Sequence, residues 1–217
     1  MKALAINGSH RKGKNTAILL KAVLSELEKG GIETELIELS DFRIESCRAC
    51  NKCLFKPECS IKDDDMATIA QKMIEADVII MGSPVYNGNV TSKLKTLLDR
   101  TRWMHMTKEM LAGKLGAVVT VAGLRNGGQE LANEILERFL ASRQIEVVHP
   151  RDPDGNIFNL GVMGTLFDEI TENDGKLTVR WKKSVQDDKL AMAMCKILAD
   201  RIIHELRKRH GSACLSC

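Results

Sequence analysis

The feature that limits this chain most is a repeated change of hydrophobic period, in which short apolar runs alternate with helical stripes. Residues 2–7 (KALAIN) form an apolar run that empties into a polar, glycine-containing loop. Residues 15–28 then set Ile18, Leu19, Val23, Leu24 and Leu27 on one helical stripe, and Gly30 with Gly31 supplies a stop. Residues 32–39 alternate apolar and polar as a strand does. A helix is expected over 63–75, with three aspartates suited to its N-terminus. Further strands are expected over 77–81 (DVIIM), 114–121 and 145–148, and further helices over 91–103 and 128–142. Strand and helix in turn are what a parallel sheet with right-handed crossovers requires.

Five strands in that sequence fit a flavodoxin-like, doubly wound α/β domain with strand order 2-1-3-4-5. Residues 150–185 break the rhythm with Pro150, Pro153, an Asn173-Asp174-Gly175 turn and a strand-like KLTVRW, so an insertion containing a hairpin is expected there. A final helix is expected over 186–209. At 217 residues the chain is expected to form a single domain, 1–217. A hydrophobic fraction of 44% and a charged fraction of 28% exclude disordered and fibrous classes. The net charge of +3 is too small to imply nucleic acid. The opening MKALAINGSH does not read as a signal peptide, and no run approaches the roughly 18 apolar residues of a membrane span. The expectation is a soluble, cytoplasmic protein with neither nucleic acid nor membrane as partner.

In an open α/β sheet, ligands bind beyond the carboxyl ends of the strands. The first such loop, Gly8 to Thr16 (GSHRKGKNT), comes within one residue of the triphosphate P-loop G-x-x-x-x-G-K-[ST]. Asn15 stands where a magnesium-binding hydroxyl would be, and a helix turns about 100° per residue, so Thr16 one place later faces elsewhere. The same loop can hold a terminal monophosphate such as that of FMN through Ser9, Arg11, Asn15, Thr16 and backbone amides. A solvated basic loop capping a helix is the third reading. The loop after DVIIM, GSPVYNGN, offers a proline-anchored backbone and Tyr86, the single tyrosine, to a planar ring. The loop AGLRNGGQE at 122–130 is rich in glycine, where a ring edge needs close backbone approach. Three loops at one edge agree on a flavin.

The cysteines point to a second group. There are seven, an odd number, and Cys47, Cys50, Cys53 and Cys59 fall within thirteen residues. Two successive C-x₂-C steps and a fourth cysteine close by suit a [4Fe–4S] cluster with all four thiolates on one cube. Structural zinc more often uses two C-x₂-C pairs across a longer loop and stays the weaker alternative. Arg48, Lys52 and Lys56 could offset cluster charge or be solvated loop surface. Cys195 reads as a core residue, and Cys214 with Cys217 as an adventitious tail pair. Trp103, Met104, Met106 and Met110 read as packing after the third helix, with shielding of the flavin or a subunit interface as the alternatives.

The motifs G-S-x-R-x-x-x-N-T, G-S-P-V-Y-x-G and G-x-R-x-G-G-Q-E resemble the NADPH-dependent FMN reductase and flavodoxin-like superfamily. With the cysteine run, residues 1–150 resemble the iron–sulfur flavoproteins. That resemblance implies FMN and a [4Fe–4S] cluster, phosphate contacts from Ser9, Arg11, Asn15 and Thr16, and ring contacts from Pro84, Val85, Tyr86 and Asn87, with Ala122 and Gly123 nearby. It also implies an oligomer, a homodimer or homotetramer.

Cluster and flavin together suggest an electron-transfer flavoprotein oxidoreductase. Its expected donor is a ferredoxin-like protein or NAD(P)H; its acceptor is a small oxidant, a quinone-like molecule or a protein. No side chain stands out as a catalytic acid or base. Alternatives are an NAD(P)H-dependent FMN or quinone reductase with a secondary cluster, a P-loop-like ATPase or Fe–S carrier, and a zinc-stabilised binding module.

Overall fold

The computed structural model describes residues 1–213; Cys214 and Cys217 lie outside the described residues. The elements run β1 (Lys2–Asn7), α1 (Asn15–Lys29), β2 (Glu33–Glu38), α2 (Met66–Glu75), β3 (Val78–Pro84), α3 (Ser92–Arg100), β4 (Leu115–Ala122), α4 (Gln129–Ser142), β5 (Glu146–Val147), β6 (Val162–Thr165), β7 (Phe167–Asn173), β8 (Lys176–Trp181) and α5 (Lys189–Ala213). The parallel sheet has the expected order β2-β1-β3-β4-β5. β3 and β4 are buried along their whole length because helices cover both faces, which is why they read as continuous apolar runs.

Side chains alternate between the two faces with the strand period of two. Ala3, Ala5, Val78, Ile80, Ala117 and Val119 pack against α1 and α5. Leu4, Ile6, Ile79, Met81 and Val118 pack against α2, α3 and α4. Small residues recur where helix meets sheet: a Cβ at Gly82 would stand 2.7 Å from Leu20 Cδ1 and 3.0 Å from the Thr16 methyl.

One addition to the expected sheet lies inside the 150–185 insertion. β5 pairs with the lower half of β4 through Glu146 and Val147, and Val148 N still donates to Gly116 O (2.7 Å). Pro150 has no N–H to continue the ladder. The same edge of β4 is taken up again by β6, with Val119 opposite Val162 and Ala122 opposite Thr165. Part of the insertion therefore completes the sheet at its carboxyl end. β7 and β8 form the expected hairpin, turning on Asp174 (φ 52°) and Gly175 (φ 74°), both left-handed as a type I′ turn demands.

Three helices have boundaries that differ from the sequence reading: α5 runs Lys189–Ala213 rather than 186–209, because residues 185–187 form a separate 3-10 turn. α2 starts at Met66 rather than 63, because Asp64 and Asp65 are drawn into bonds with other segments. α3 ends at Arg100 and continues only as a 3-10 turn over 102–104. No helix among the described residues is long and apolar enough to cross a membrane. Cys195 is buried on α5, and burial pushes its thiol up to about 12, as fits a core residue.

Two candidate cofactor sites joined by one helix

The first site is built almost wholly from backbone. Gly8 N donates to Gly82 O (2.8 Å), tying the loop after β1 to the end of β3; a Cβ at Gly8 would meet Leu94 Cβ at 2.7 Å. Val85 N donates to Val121 O (2.8 Å), tying the β3 loop to β4. Tyr86 and Asn89 exchange both backbone bonds around Asn87 (φ 50°) and Gly88 (φ 72°), a type I′ turn. Gly128, at φ 96°, lets the β4 loop approach that turn, since a Cβ there would lie 3.1 Å from Gly88 Cα. Tyr86 is 39% exposed and stacks at 6.0 Å on the His10 ring.

The expected phosphate residues lie at the start of α1, whose N-terminus has no side-chain cap, so its first-turn amides are free of one. Ser9 is buried; its hydroxyl accepts from Arg11 N (3.0 Å) and donates to Arg11 O (3.2 Å). Arg11 is exposed, and Thr16 is buried with its methyl toward the Gly82 contact. Asn15 Oδ1 accepts from Val185 N (3.2 Å), which leaves its amide NH₂ as the donor end. Glu38, missed in the sequence, sits under the loop and accepts from Asn7 Nδ2 (2.6 Å) and Gly13 N (3.1 Å).

Ala122 ends β4 and Gly123 follows it, and the insertion supports both. Leu166 N donates to Ala122 O (3.1 Å), Thr165 Oγ1 to Gly123 O (3.3 Å), and Trp181 of the hairpin stands within 3.9 Å of where a Gly123 Cβ would be. Gln129 holds the loop from inside, through Nε2 to Leu124 O (3.1 Å) and Arg125 O (3.2 Å) and through Oε1 from Gly127 N (2.7 Å). The three loops are thus tied to one another at the carboxyl edge of the sheet, with the uncapped N-terminus of α1 on one side and glycine backbone on the other, where an open α/β sheet has its crevice. That suits a phosphate carrying a flat ring.

The second site is built from side chains. Cys47, Cys50, Cys53 and Cys59 line a single pocket with Arg100 and Trp103. Cys47 and Cys50 are exposed, Cys53 and Cys59 half-buried. The loop turns through Ala49 (φ 49°) and Asn51 (φ 58°), both left-handed, and Arg102 Nη1 pins Asn51 Oδ1 at 2.8 Å. Cys50 Sγ lies 3.1 Å from Ser60 Oγ, and this bond with the backbone N–H of Lys52 holds its thiol below the ordinary range. Among the described residues, no three His, Cys, Asp or Glu side chains close on one ion. A cluster gives each thiolate its own iron, so four thiols around one pocket suit it better than they suit zinc.

Beneath the pocket lies a pair that sequence reading did not find. Arg100 and Asp64 are both buried, with Nη1 to Oδ2 at 2.5 Å and Nη2 to Oδ1 at 3.1 Å. Burial pushes the Asp64 carboxyl up, but bonds from Arg100, Glu45 N and Met66 N outweigh it and hold it below its usual value. Burial likewise opposes the Arg100 charge, yet Asp64 and the adjacent Cys59 raise its pKa overall. Of the loop cations, Arg48 lines the pocket; Lys52 and Lys56 do not.

Helix α3 joins the sites. Its N-cap residue Thr91 accepts from Leu94 N (3.2 Å) and donates to Gly8 O (2.6 Å) in the crevice. Its last residue, Arg100, lines the cysteine pocket. Nine residues at about 1.5 Å each separate the two ends by roughly 13 Å.

The family model for NADPH-dependent FMN reductases matches residues 1–153. An iron–sulfur flavoprotein of Archaeoglobus fulgidus is 38% identical over 203 residues, covering 94% of each chain. Among solved structures, RosB with a bound riboflavin-phosphate intermediate superposes with a TM-score of 0.71 at 16% identity, covering 96% of this chain and 81% of that one. A flavodoxin, WrbA-like protein from Agrobacterium tumefaciens gives 0.57 at 12% identity, covering 95% and 97%. At those identities the likeness shows the fold, which is flavodoxin-like.

Proposed function

The chain belongs to the NADPH-dependent FMN reductase family and, within it, to the iron–sulfur flavoproteins; from that premise we propose an FMN- and [4Fe–4S]-containing electron-transfer oxidoreductase. Its donor is a ferredoxin-like protein or NAD(P)H, and its acceptor a small quinone-like oxidant or another protein. When bound, flavin exchanges one or two electrons and a cluster one, so together they convert between the two.

The observation that carries this reading is the position of the two candidate sites at opposite ends of α3, within one chain. Ser9, Arg11, the Asn15 amide, Thr16 and the first-turn N–H groups of α1 hold the phosphate. Pro84, Val85, Tyr86 and Asn87 hold the ring on one side, with Ala122 and Gly123 at its edge. Cys47, Cys50, Cys53 and Cys59 ligate the cluster. No side chain is needed as catalytic acid or base. The apolar face of the hairpin, with Ile170, Leu177, Val179 and Trp181 all exposed, supports assembly into a homodimer or homotetramer. Residues 1–217 work as a single domain in this reading.

Iron, sulfide and flavin analysis of anaerobically purified protein tests it, with Cys53→Ala as the control. The wild type is expected to hold both groups, and Cys53→Ala to lose iron and sulfide while keeping FMN. A wild type that binds neither group after reconstitution contradicts the reading.

A further inference from the structure

Arg100 carries five N–H donors, and four have acceptors. Nη1 donates to Glu45 O (2.6 Å) and Asp64 Oδ2 (2.5 Å); Nη2 donates to Asp64 Oδ1 (3.1 Å) and, at the limit, to Ile61 O (3.5 Å). The fifth, on Nε, is buried without a partner. Three residues on, Trp103 Nε1–H is also buried without one. Both side chains line the pocket that holds the four cysteines, and the guanidinium lies against Cys59. Buried donors in folded proteins nearly always find an acceptor. Apart from the thiol of Cys59, against which the guanidinium lies, the polypeptide offers these two donors no acceptor. The acceptor chemistry a four-thiolate pocket would add is anionic sulfur.

We propose that Arg100 Nε–H and Trp103 Nε1–H donate hydrogen bonds to the sulfur atoms of the cluster held by Cys47, Cys50, Cys53 and Cys59, and so raise its reduction potential. The proposal rests on the cluster reading above. Hydrogen bonds to cluster sulfur stabilise the more negative, reduced form. Asp64 takes both Nη groups and fixes the guanidinium, so its position does not depend on the cluster. Exposed Arg48 also lines the pocket, but its charge is screened by solvent, whereas Arg100 is 1% exposed. Burial gives the Arg100 donor the larger influence.

The test is a spectroelectrochemical titration of the cluster in wild type, Trp103→Phe and Arg100→Lys, each with iron and sulfide content measured. Trp103→Phe keeps an aromatic ring and removes the N–H; Arg100→Lys keeps a cation for Asp64 and removes Nε. Each variant is expected to hold a full cluster that is harder to reduce, by on the order of tenfold in the equilibrium, or about 59 mV for one electron. Electron–nuclear double resonance of the reduced wild type should also show strongly coupled exchangeable protons, with one lost in Trp103→Phe. Full clusters at unchanged potential in the variants overturn the proposal. Should Arg100→Lys fail to fold, Trp103→Phe decides alone. A wild type that retains FMN but takes up no iron or sulfide overturns the cluster reading itself, and the proposal with it.

Discussion

The candidate flavin crevice and the cysteine pocket are made in opposite ways. The crevice is main chain against main chain: Gly8 on Gly82, Val85 on Val121, and Gly88 close to Gly128. The pocket is a partly exposed loop held by side chains, with the buried Arg100–Asp64 pair beneath it and Arg102 gripping Asn51. A site made of backbone inherits its shape from the sheet topology. A site made of side chains depends on a few long-range pairs, each of which one substitution can remove. The two should therefore fail separately.

The largest effect is expected at Asp64. Asp64→Asn leaves the Arg100 charge buried without its counter-ion, which should cost about 3–5 kcal/mol in urea or thermal unfolding. The pocket should lose iron before the crevice loses FMN; simultaneous loss would mean the two regions are not separate. Asp64 also gives a pH dependence of known sign. Its folded pKa lies below the ordinary value of about 3.9, so its contribution is complete above that value and is lost as pH falls through the folded pKa. Acid unfolding of Asp64→Asn should accordingly lose part of its slope below about pH 4.

Next comes Gly128→Val. A branched side chain at φ 96°, facing Gly88 Cα at 3.1 Å, must displace the β4 loop. Backbone strain of that kind is worth about 1–3 kcal/mol, and FMN titration should read it as weaker binding with iron content unchanged. Unaltered FMN affinity would take the ring away from this edge. The smallest effect is expected for Arg102→Ala, which frees Asn51 at a cost of about 1 kcal/mol and should slow cluster reconstitution without touching FMN.

The same contrast explains what could be read from the chain. The alternation of strands and helices, the three glycine-bearing loops and the cysteine spacing were legible, because each follows from a local period or a run of particular residue types; the strand order came from that alternation through the topology of a doubly wound sheet. Asn87-Gly88 and Asp174-Gly175 both adopt the left-handed turns their types suggest. Arg100 was not legible: nothing local distinguishes it from a surface arginine, and its partner is 36 positions away. The aspartates at 63–65 read as helix-dipole residues, yet Asp64 accepts only one bond from the helix, from Met66 N, and the rest from Arg100 and Glu45 N. The Asn15–Val185 bond spans 170 positions, and β6 returns to β4 after an irregular stretch. Pairings at such separations leave no period in the sequence. The insertion reads as a mere break in the strand–helix rhythm for that reason, although it props the Ala122–Gly123 end of the crevice.

If electrons pass between the two sites along α3, a one-electron donor should reach the flavin through the cysteine pocket. Anaerobic stopped-flow mixing of a reduced one-electron donor with wild type and with FMN-loaded Cys53→Ala measures this directly, by the loss of flavin absorbance. Flavin reduction in Cys53→Ala is expected to slow by on the order of tenfold or more, a barrier change of about 1.4 kcal/mol or more. Equal rates in the two proteins would contradict transfer through the cluster.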